Sequence, residues 1–357
     1  MKKLDLHTDF QLQEHSFTDV NELLSFSKKN YPELYLFFFE WFNNKSFVEV
    51  KTSGSTGKPK AIKLKKAHMI ASAIATSEYF ELQAKTTALL CMSPNYIAGK
   101  MMMVRALCLG WHLDVVKPTN HPLKTTNKKY DFCAMVPTQA HHSLDYLHRV
   151  KKLIVGGGDV SEDLVGKFQK VSSAIYSTYG MTETITHIAV KKLNNFKNGI
   201  ASEMKKSHYK TLPNISISTD ERGCLIIDAP TISDKKIITN DLVEIISANE
   251  FYWLGRYDSI INSGGIKIIP EQIEEKISKL IQHRLFVVGF PDTILGEKLV
   301  LIIEGSKNEK VIETINSFDG LAKFEKPKKI YFLNKFIETE TQKINKKETL
   351  NLLINNC

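Results

Sequence analysis

Apolar residues in this chain fall into short runs that alternate between strand-like and helical spacing. Strands are predicted at 46–52, 61–64, 88–92 and in the run that ends at Gly156, and helices at 67–82 and 100–109. Helices that alternate with strands in this way are typical of an α/β fold.

The two ends of the chain have a different pattern. Residues 1–45 look helical and are rich in aromatic side chains. Near Gly255 a segment rich in Gly, Ser and Asn precedes a helical pattern that starts at Pro270 and places Ile273 and Ile277 on one face. About a hundred residues remain from there, which is enough for a small α+β domain.

The composition is that of an ordinary folded protein. Of 357 residues, 43% are hydrophobic and 24% are charged. No apolar signal segment opens the chain, and no run of about 18 apolar residues could span a bilayer, so we expect a cytoplasmic protein without membrane insertion. The 5 cysteines are scattered without C-x-x-C spacing, so neither a disulfide framework nor a zinc site is predicted.

The net charge of +9 leaves a nucleic-acid partner open. The lysines are spread along the chain, however, and no nucleic-acid-binding signature accompanies them, so we expect no such partner. A basic surface would also attract anionic small molecules such as nucleotides.

Glycines, hydroxyls and lysines crowd the turn between the first two predicted strands. The set comprises Thr52, Ser53, Gly54, Ser55, Thr56, Gly57, Lys58 and Lys60. Glycines let successive N–H groups point into one concavity, and hydroxyls and lysines add donors and positive charge, so the run suits the polyphosphate of ATP. The spacing is not that of a Walker A loop. A flexible hairpin tip has a similar composition, and the run alone does not decide between the two.

Four further segments follow in a set order: Tyr179–Gly180–Met181–Thr182–Glu183, Thr239–Asn240–Asp241, 255–258 leading into 262–271, and 341–344. In order and approximate spacing they resemble the acyl-adenylate-forming superfamily, which contains acyl-CoA synthetases, luciferases and peptide-synthetase adenylation domains. The resemblance implies a large N-terminal α/β domain, residues 1–257, and a small mobile α+β domain, residues 258–357. It also implies a hinge at Asp258 and an active site between the domains.

The resemblance also implies the nucleotide site. The loop Thr52–Lys60 would grip phosphate, and Gly156, Gly157, Gly158, Tyr179 and Gly180 would enclose adenine. Thr182 would contact the α-phosphate or the substrate carboxylate, and Glu183 would help to hold Mg²⁺. Asp241 would accept from the ribose hydroxyls, and Arg256 would contact ribose or phosphate.

Lys343 resembles the catalytic lysine of the C-terminal domain, which would bridge the attacking carboxylate and the α-phosphate. Rotation about Asp258 would then withdraw Lys343 and open a path for the thiol of coenzyme A. Two positions depart from the family pattern, because Asn240 and Gln342 stand where glycine is usual. The predicted phosphate loop also follows only 51 residues, so part of the usual N-terminal subdomain is expected to be reduced.

Residues 93–110 indicate which acid is the substrate. They resemble the matching segment of the o-succinylbenzoate-CoA ligases of menaquinone biosynthesis, in which an arginine on a helix binds the aromatic carboxylate that stays free. Arg105 occupies that place, with Tyr96 and Gly99 as further substrate-binding residues. An arginine among apolar neighbours could instead extend its charge to water.

These patterns predict a ligase that converts o-succinylbenzoate, ATP and coenzyme A into the acyl-CoA, AMP and pyrophosphate. Two alternatives stay open: an enzyme that adenylates another acid for CoA or a carrier protein, and a non-catalytic nucleotide-binding homologue. A homodimer is also possible.

Overall fold

The computed structural model describes residues 4–51, 61–195, 207–339 and 344–355. The chain divides into two compact units. The first comprises Met1–Val160, Leu164–Ile217 and Ile227–Ile237, and the second comprises Ser161–Asp163, Ser218–Ile226 and Ile238–Cys357. The mixture of helices and strands within the units confirms the predicted α/β class.

The N-terminal segment is helical from Val20 to Phe42, as the sequence predicts, but its first part holds two short strands instead of a helix. Its elements are β1 (Gln11–Leu12), β2 (His15–Ser16), α1 (Val20–Asn30) and α2 (Pro32–Phe42). The Asp19 side chain starts α1 by accepting from the first free N–H groups, and Pro32 opens α2, where a missing N–H costs nothing. Helix α2 buries three of its aromatic residues, Phe37, Phe38 and Trp41.

A parallel sheet forms the centre of the first unit. The elements that follow α2 are β3 (Phe47–Lys51), β4 (Ala61–Lys65), α3 (Lys66–Tyr79), β5 (Thr87–Leu90), α4 (Ile97–Leu109), β6 (His112–Val115), β7 (Tyr130–Met135), α5 (Pro137–His142), β8 (Val150–Val155), α6 (Glu162–Phe168), β9 (Ala174–Gly180), β10 (His187–Lys192) and β11 (Tyr209–Thr211). Within the unit the strand order is β11-β10-β9-β8-β7-β5-β6-β1-β2. The run from β6 through β9 is parallel throughout, whereas β10 and β11 are antiparallel additions.

Helices cover both faces of this sheet. The Phe80 ring, at the end of α3, packs 5.7 Å from Phe132 and 5.1 Å from Tyr176, measured between ring centroids. The alternate residues of the same strands point the other way, into a core that includes Cys133 and Ile175 with residues of α6. Because both faces are covered, runs of consecutive apolar residues occur at 132–135 in β7 and 153–155 in β8, as in other parallel strands between two helical layers.

The second unit is a smaller mixed structure. It holds most of β14 (Ile237–Ser247), and then β15 (Glu250–Arg256), β16 (Ile261–Ser263), β17 (Ile266–Ile268), α7 (Pro270–Ser278), β18 (Leu285–Asp292), β19 (Gly296–Glu304), α8 (Glu309–Asn316), β20 (Lys329–Leu333) and α9 (Lys346–Asn355); β12 (Ser216–Thr219) and β13 (Cys224–Asp228) span the unit boundaries. Ile273 and Ile277 of α7 lie in its core, as their spacing predicts. The boundary predicted at Asp258 stays a prediction.

The observed bounds differ from the expected ones at a few ends. Helix α4 begins at Ile97, three residues before the predicted start, and α3 ends at Tyr79 rather than at residue 82. Apolar spacing does not mark these ends, because the residues beyond the last helical turn stay buried in the core. Leu82 illustrates this, since it is only 7% exposed although it lies outside the helix. No helix in the described part of the chain is long and apolar enough to cross a membrane.

Asn194 fixes the start of β9 from inside the core. Its side chain is fully buried, and its Oδ1 accepts from Ile175 N at 2.9 Å. Its Nδ2 donates to the carbonyl oxygens of Phe168 at 3.0 Å and of Ser173 at 2.9 Å. One side chain thus satisfies several backbone groups that have no water to replace it.

We expect Asn194→Ala to lower the free energy of unfolding by about 3 kcal/mol, because several buried backbone groups would lose their partner at once. Urea unfolding followed by circular dichroism measures the change. Asn30→Ala is the matched control, since Asn30 is exposed and its Nδ2 donates to Phe26 O within the same helix. A loss for Asn194→Ala no larger than that of the control would contradict the assigned role.

Candidate active site

The carboxyl ends of the parallel strands meet at one edge of the sheet. Strands β5, β7, β8 and β9 pair in parallel, so the segments that follow them emerge together. Gly156–Gly158 follow β8, while Tyr179 and Gly180 end β9. The residues predicted to enclose adenine therefore share the edge at which open α/β sheets bind ligands.

Two of these glycines are required by close approaches of the chain. A Cβ on Gly156 would lie 2.1 Å from Thr178 Oγ1 on the neighbouring strand. A Cβ on Gly180 would lie 2.3 Å from Thr186 O and 2.5 Å from the Cα of His187, which are backbone atoms that cannot move aside. Gly157 has φ +83°, a conformation that other residues rarely adopt. Glycine therefore keeps the backbone at this edge free of side chains.

The turn after Gly180 is strained and held from within by Thr184. Ile185 has φ 67° and ψ −59°, a costly conformation for a β-branched residue, and Thr186 N donates to Thr184 O at 2.7 Å. The buried Thr184 Oγ1 accepts from Met181 N at 2.9 Å and bonds Thr186 O at 2.7 Å. Thr184 was not among the predicted site residues, although a further hydroxyl residue directly after the 179–183 motif was a visible signal.

Thr182 and Glu183 lie in the single helical turn Thr182–Thr184 that this strained segment supports. Thr182 is half-buried and Glu183 is exposed. Among the described residues there is no group of three or more His, Cys, Asp or Glu side chains placed to hold a metal. An exposed single carboxylate fits Mg²⁺ that takes its remaining ligands from phosphate and water, as Mg²⁺ commonly does.

Tyr179 is half-buried beside a second tyrosine. Its ring centroid lies 5.7 Å from that of Tyr209, with the planes tilted by 57°. Burial raises the pKa of the Tyr209 hydroxyl. The Tyr209 ring therefore stays neutral at physiological pH, and the paired rings offer flat apolar faces that suit contact with a planar base.

In the second unit, Asp241 and Arg256 face each other across β14 and β15. Asp241 is 6% exposed, and its Oδ1 accepts from Trp253 Nε1 at 3.3 Å and lies 3.7 Å from Arg256 Nη1. Its backbone N–H donates to Thr239 Oγ1 at 3.0 Å. The carboxylate is thus held in one orientation, as an acceptor for a ribose hydroxyl would need to be.

Arg256 grips Asp258 with a two-nitrogen fork. Nε and Nη2 donate to the two carboxylate oxygens at 2.9 and 2.8 Å, and this hydrogen bonding lowers the pKa of Asp258. Asn240 lies within β14 without a positive φ, so the glycine usual at this position is not needed for backbone freedom. Its Oδ1 accepts from Arg222 Nη1 at 3.0 Å.

Some predicted site residues lie outside the described residues. They are the loop Thr52, Ser53, Gly54, Ser55, Thr56, Gly57, Lys58 and Lys60, together with Gln342 and Lys343. Their assigned roles stay predictions.

Arg105 is buried in α4, which rules out the alternative that its charge extends to water. The side chain is 2% exposed, and its Nη1 lies 3.7 Å from the sulfur of Met102. Among the described residues its Nε and Nη2 have no hydrogen-bond partner. Burial lowers the pKa of the guanidinium to about 9, so it is still charged at neutral pH. A buried charge without a counterion is costly and points to a ligand that supplies one.

His187 lies close enough to Arg105 to be influenced by its charge. The imidazole is 5% exposed, and its Nε2 also has no partner among the described residues. Burial, and then the nearby Arg105 charge, hold the pKa of His187 well below its usual value. His187 was not among the predicted site residues, because a lone histidine in an apolar strand belongs to no motif.

Gly99 and Tyr96 mark the start of α4. A Cβ on Gly99 would lie 2.2 Å from Ser93 O, so glycine lets the helix pack against the segment that follows β5. Tyr96 precedes the helix with extended backbone and is 38% exposed. Gly99 lies within the same helix as Arg105, and Tyr96 is the residue immediately before that helix.

Comparison with known proteins agrees with this arrangement. A model of the AMP-binding enzyme family matches residues 51–228. The chain is 24% identical over 370 residues to the 2-succinylbenzoate–CoA ligase of Enterococcus faecalis, which covers 95% of this chain and 76% of that protein.

Two solved structures are similar over most of the chain. An acyl-CoA synthetase (AMP-forming)/AMP-acid ligase II-like protein from Dyadobacter fermentans is 38% identical, with 91% of this chain and 95% of that chain covered and a TM-score of 0.60. The O-succinylbenzoate coenzyme A synthetase of Bacillus subtilis, in complex with ATP and magnesium ion, has a TM-score of 0.69 at 18% identity, with 85% and 69% covered. The second likeness concerns the fold.

We expect Arg105→Met to raise the free energy of unfolding by about 1–3 kcal/mol, because an uncompensated buried charge is replaced by an apolar chain of similar length. Thermal unfolding without ligands measures the change. Arg149→Met is the control and should destabilise, because Arg149 donates to Leu123 O at 3.2 Å and stacks on the Tyr146 ring. If Arg105→Met destabilised the protein as much as the control does, that result would contradict the interpretation of the Arg105 guanidinium as an uncompensated buried charge.

Proposed function

Because the chain belongs to the AMP-binding enzyme family, we propose that it is an ATP-dependent acid–CoA ligase whose acid is 2-succinylbenzoate. Its 38% identity to the AMP-forming synthetase-like protein supports the ligase chemistry. The name of its Enterococcus faecalis relative supports the acid. The observation that carries the proposal is the buried fork of Arg105, which has no partner in the described part of the chain and so calls for an acid with a second carboxylate.

The reaction has two halves. One carboxylate oxygen of the acid attacks the α-phosphorus of ATP, forming an acyl-adenylate while the bond to the β-phosphate breaks and pyrophosphate leaves. The thiol sulfur of CoA then attacks the acyl carbon, and AMP leaves. Mg²⁺, held by Glu183 and phosphate oxygens, would neutralise the charge of the triphosphate.

The residues at the edge of the sheet would bind the nucleotide. The bare backbone at Gly156, Gly157 and Gly180 admits a flat base, and Tyr179 offers a ring beside it. Thr182 would donate to the α-phosphate. Asp241 would accept from ribose, since its orientation is already fixed.

The acid would be bound at its non-reacting end. 2-Succinylbenzoate has two carboxylates, and the succinyl one is the nucleophile. The aromatic carboxylate would meet the Arg105 fork, where a charge-assisted bidentate contact compensates the buried guanidinium. Binding at that end holds the succinyl carboxylate in place for attack.

We predict that, in the presence of ATP and Mg²⁺, the enzyme releases pyrophosphate far faster with 2-succinylbenzoate than with other acids. The decisive comparison is 3-benzoylpropionate, which has the same keto acid chain but no aromatic carboxylate. In Arg105→Met the ratio of kcat/KM for the two acids should fall roughly a hundredfold, as loss of a charged hydrogen-bonded pair implies. Arg149→Met should keep the ratio.

The panel also separates the alternatives. Preference for another acid, with the ratio unmoved in Arg105→Met, would favour an enzyme of different specificity. Nucleotide binding without pyrophosphate release on any acid would favour a non-catalytic homologue.

Lys343→Ala should slow adenylation by about a thousandfold, as removal of a charge aimed at the transition state does, while thioester formation from supplied acyl-adenylate should change far less. Pyrophosphate release measures the first half-reaction and acyl-CoA formation the second. Lys347→Ala is a matched control from the same lysine-rich tail. Equal losses in both half-reactions would contradict the role given to Lys343.

A further inference from the structure

We infer that His187 is a specificity-determining residue whose Nε2–H completes, with the Arg105 fork, a three-donor receptor for the non-reacting carboxylate of the acid. This inference rests on the proposed function and adds a residue to it. The receptor would take one monoanionic carboxylate.

The fold brings His187 to the active edge of the sheet. It is the first residue of β10 and pairs with Gly180, the last residue of β9. The backbones are so close there that a Cβ on Gly180 would lie 2.5 Å from the Cα of His187. The imidazole is thus attached to the segment that holds Tyr179 and Thr182, and its position is tied to theirs.

Arg105 presents the correct pair of nitrogens. Nε and Nη2 lie on the same side of a guanidinium and donate in parallel, which matches the two oxygens of a carboxylate. The chain itself shows this use of the pair, because Nε and Nη2 of Arg256 hold the Asp258 carboxylate at 2.9 and 2.8 Å. In Arg105 the same two atoms are buried and lack partners among the described residues.

His187 can supply the third donor without adding charge. Its Nδ1 lies 3.4 Å from Thr186 Oγ1, whose hydroxyl can donate to it and so leave the ring proton on Nε2. Burial and the Arg105 charge keep the ring neutral by lowering its pKa. One guanidinium and one carboxylate then cancel, whereas a protonated histidine would leave an extra buried charge.

The number of donors and the net charge of the receptor also explain why it would select a carboxylate. Its two oxygens offer about four acceptor positions, and the three N–H groups fill most of them. A phosphate dianion would bring one negative charge too many into the site. An uncharged group would leave the guanidinium uncompensated.

The experiment compares His187→Leu and His187→Gln with the wild type, using 2-succinylbenzoate and 3-benzoylpropionate. The ratio of their kcat/KM values should fall roughly tenfold in His187→Leu, mainly through KM for 2-succinylbenzoate, as loss of one hydrogen bond to a charged group implies. His187→Gln retains an N–H donor and should restore most of the ratio. If His187 had only a structural role, its substitution would lower kcat/KM for both acids equally and leave their ratio unchanged. That result would overturn the inference.

A double-mutant cycle with Arg105→Met gives a second readout. If both side chains hold the same carboxylate, the loss caused by the His187 change should largely disappear once Arg105 is gone. Additive losses would overturn the inference. The cycle can be run with His187→Asn if His187→Leu does not fold. If the wild type activates another acid instead of 2-succinylbenzoate, the proposed function fails. That failure is visible in the wild type alone, before any variant is compared, so it is distinct from a failure of the inference about His187.

Discussion

Parallel pairing of β5, β7, β8 and β9 is the constraint on which the site in the first unit depends. It forces the segments after these strands to emerge at one edge, so residues far apart in sequence converge there. Asn194 fixes the start of β9 from the core, and Thr184 fixes the turn beyond its end. The edge that we propose binds the nucleotide is therefore shaped mainly by backbone geometry and by buried hydrogen bonds.

The proposed acid-binding part relies on a different principle, because it keeps a charge where a folded protein gains no stability from it. The Arg105 guanidinium and the His187 imidazole lie in the core with donors that the described chain leaves unused. Stability alone would favour apolar residues there. Retention of a costly group is expected where activity needs it, and the ligand then supplies the missing partner.

Sequence predicted the fold class and the family, because alternating helices and strands and five ordered motifs are local features. The family resemblance also assigned Gly156 and Tyr179 to one site, and the structure places both at the edge where parallel strands end. The sequence could not decide whether Arg105 reaches water, because that depends on which helix face meets the sheet. His187 was missed for a related reason: its meaning comes from its spatial neighbour, which lies 82 positions away in the sequence.

The central claim is that one carboxylate of 2-succinylbenzoate attacks ATP while the other is bound. Labelling the succinyl carboxylate with ¹⁸O tests this most directly, because that oxygen bridges to phosphorus in the acyl-adenylate and leaves with AMP. The account predicts one ¹⁸O in AMP from acid labelled in the succinyl carboxylate and none from acid labelled in the aromatic carboxylate. Label in inorganic phosphate, or in AMP from the aromatic carboxylate, would contradict it.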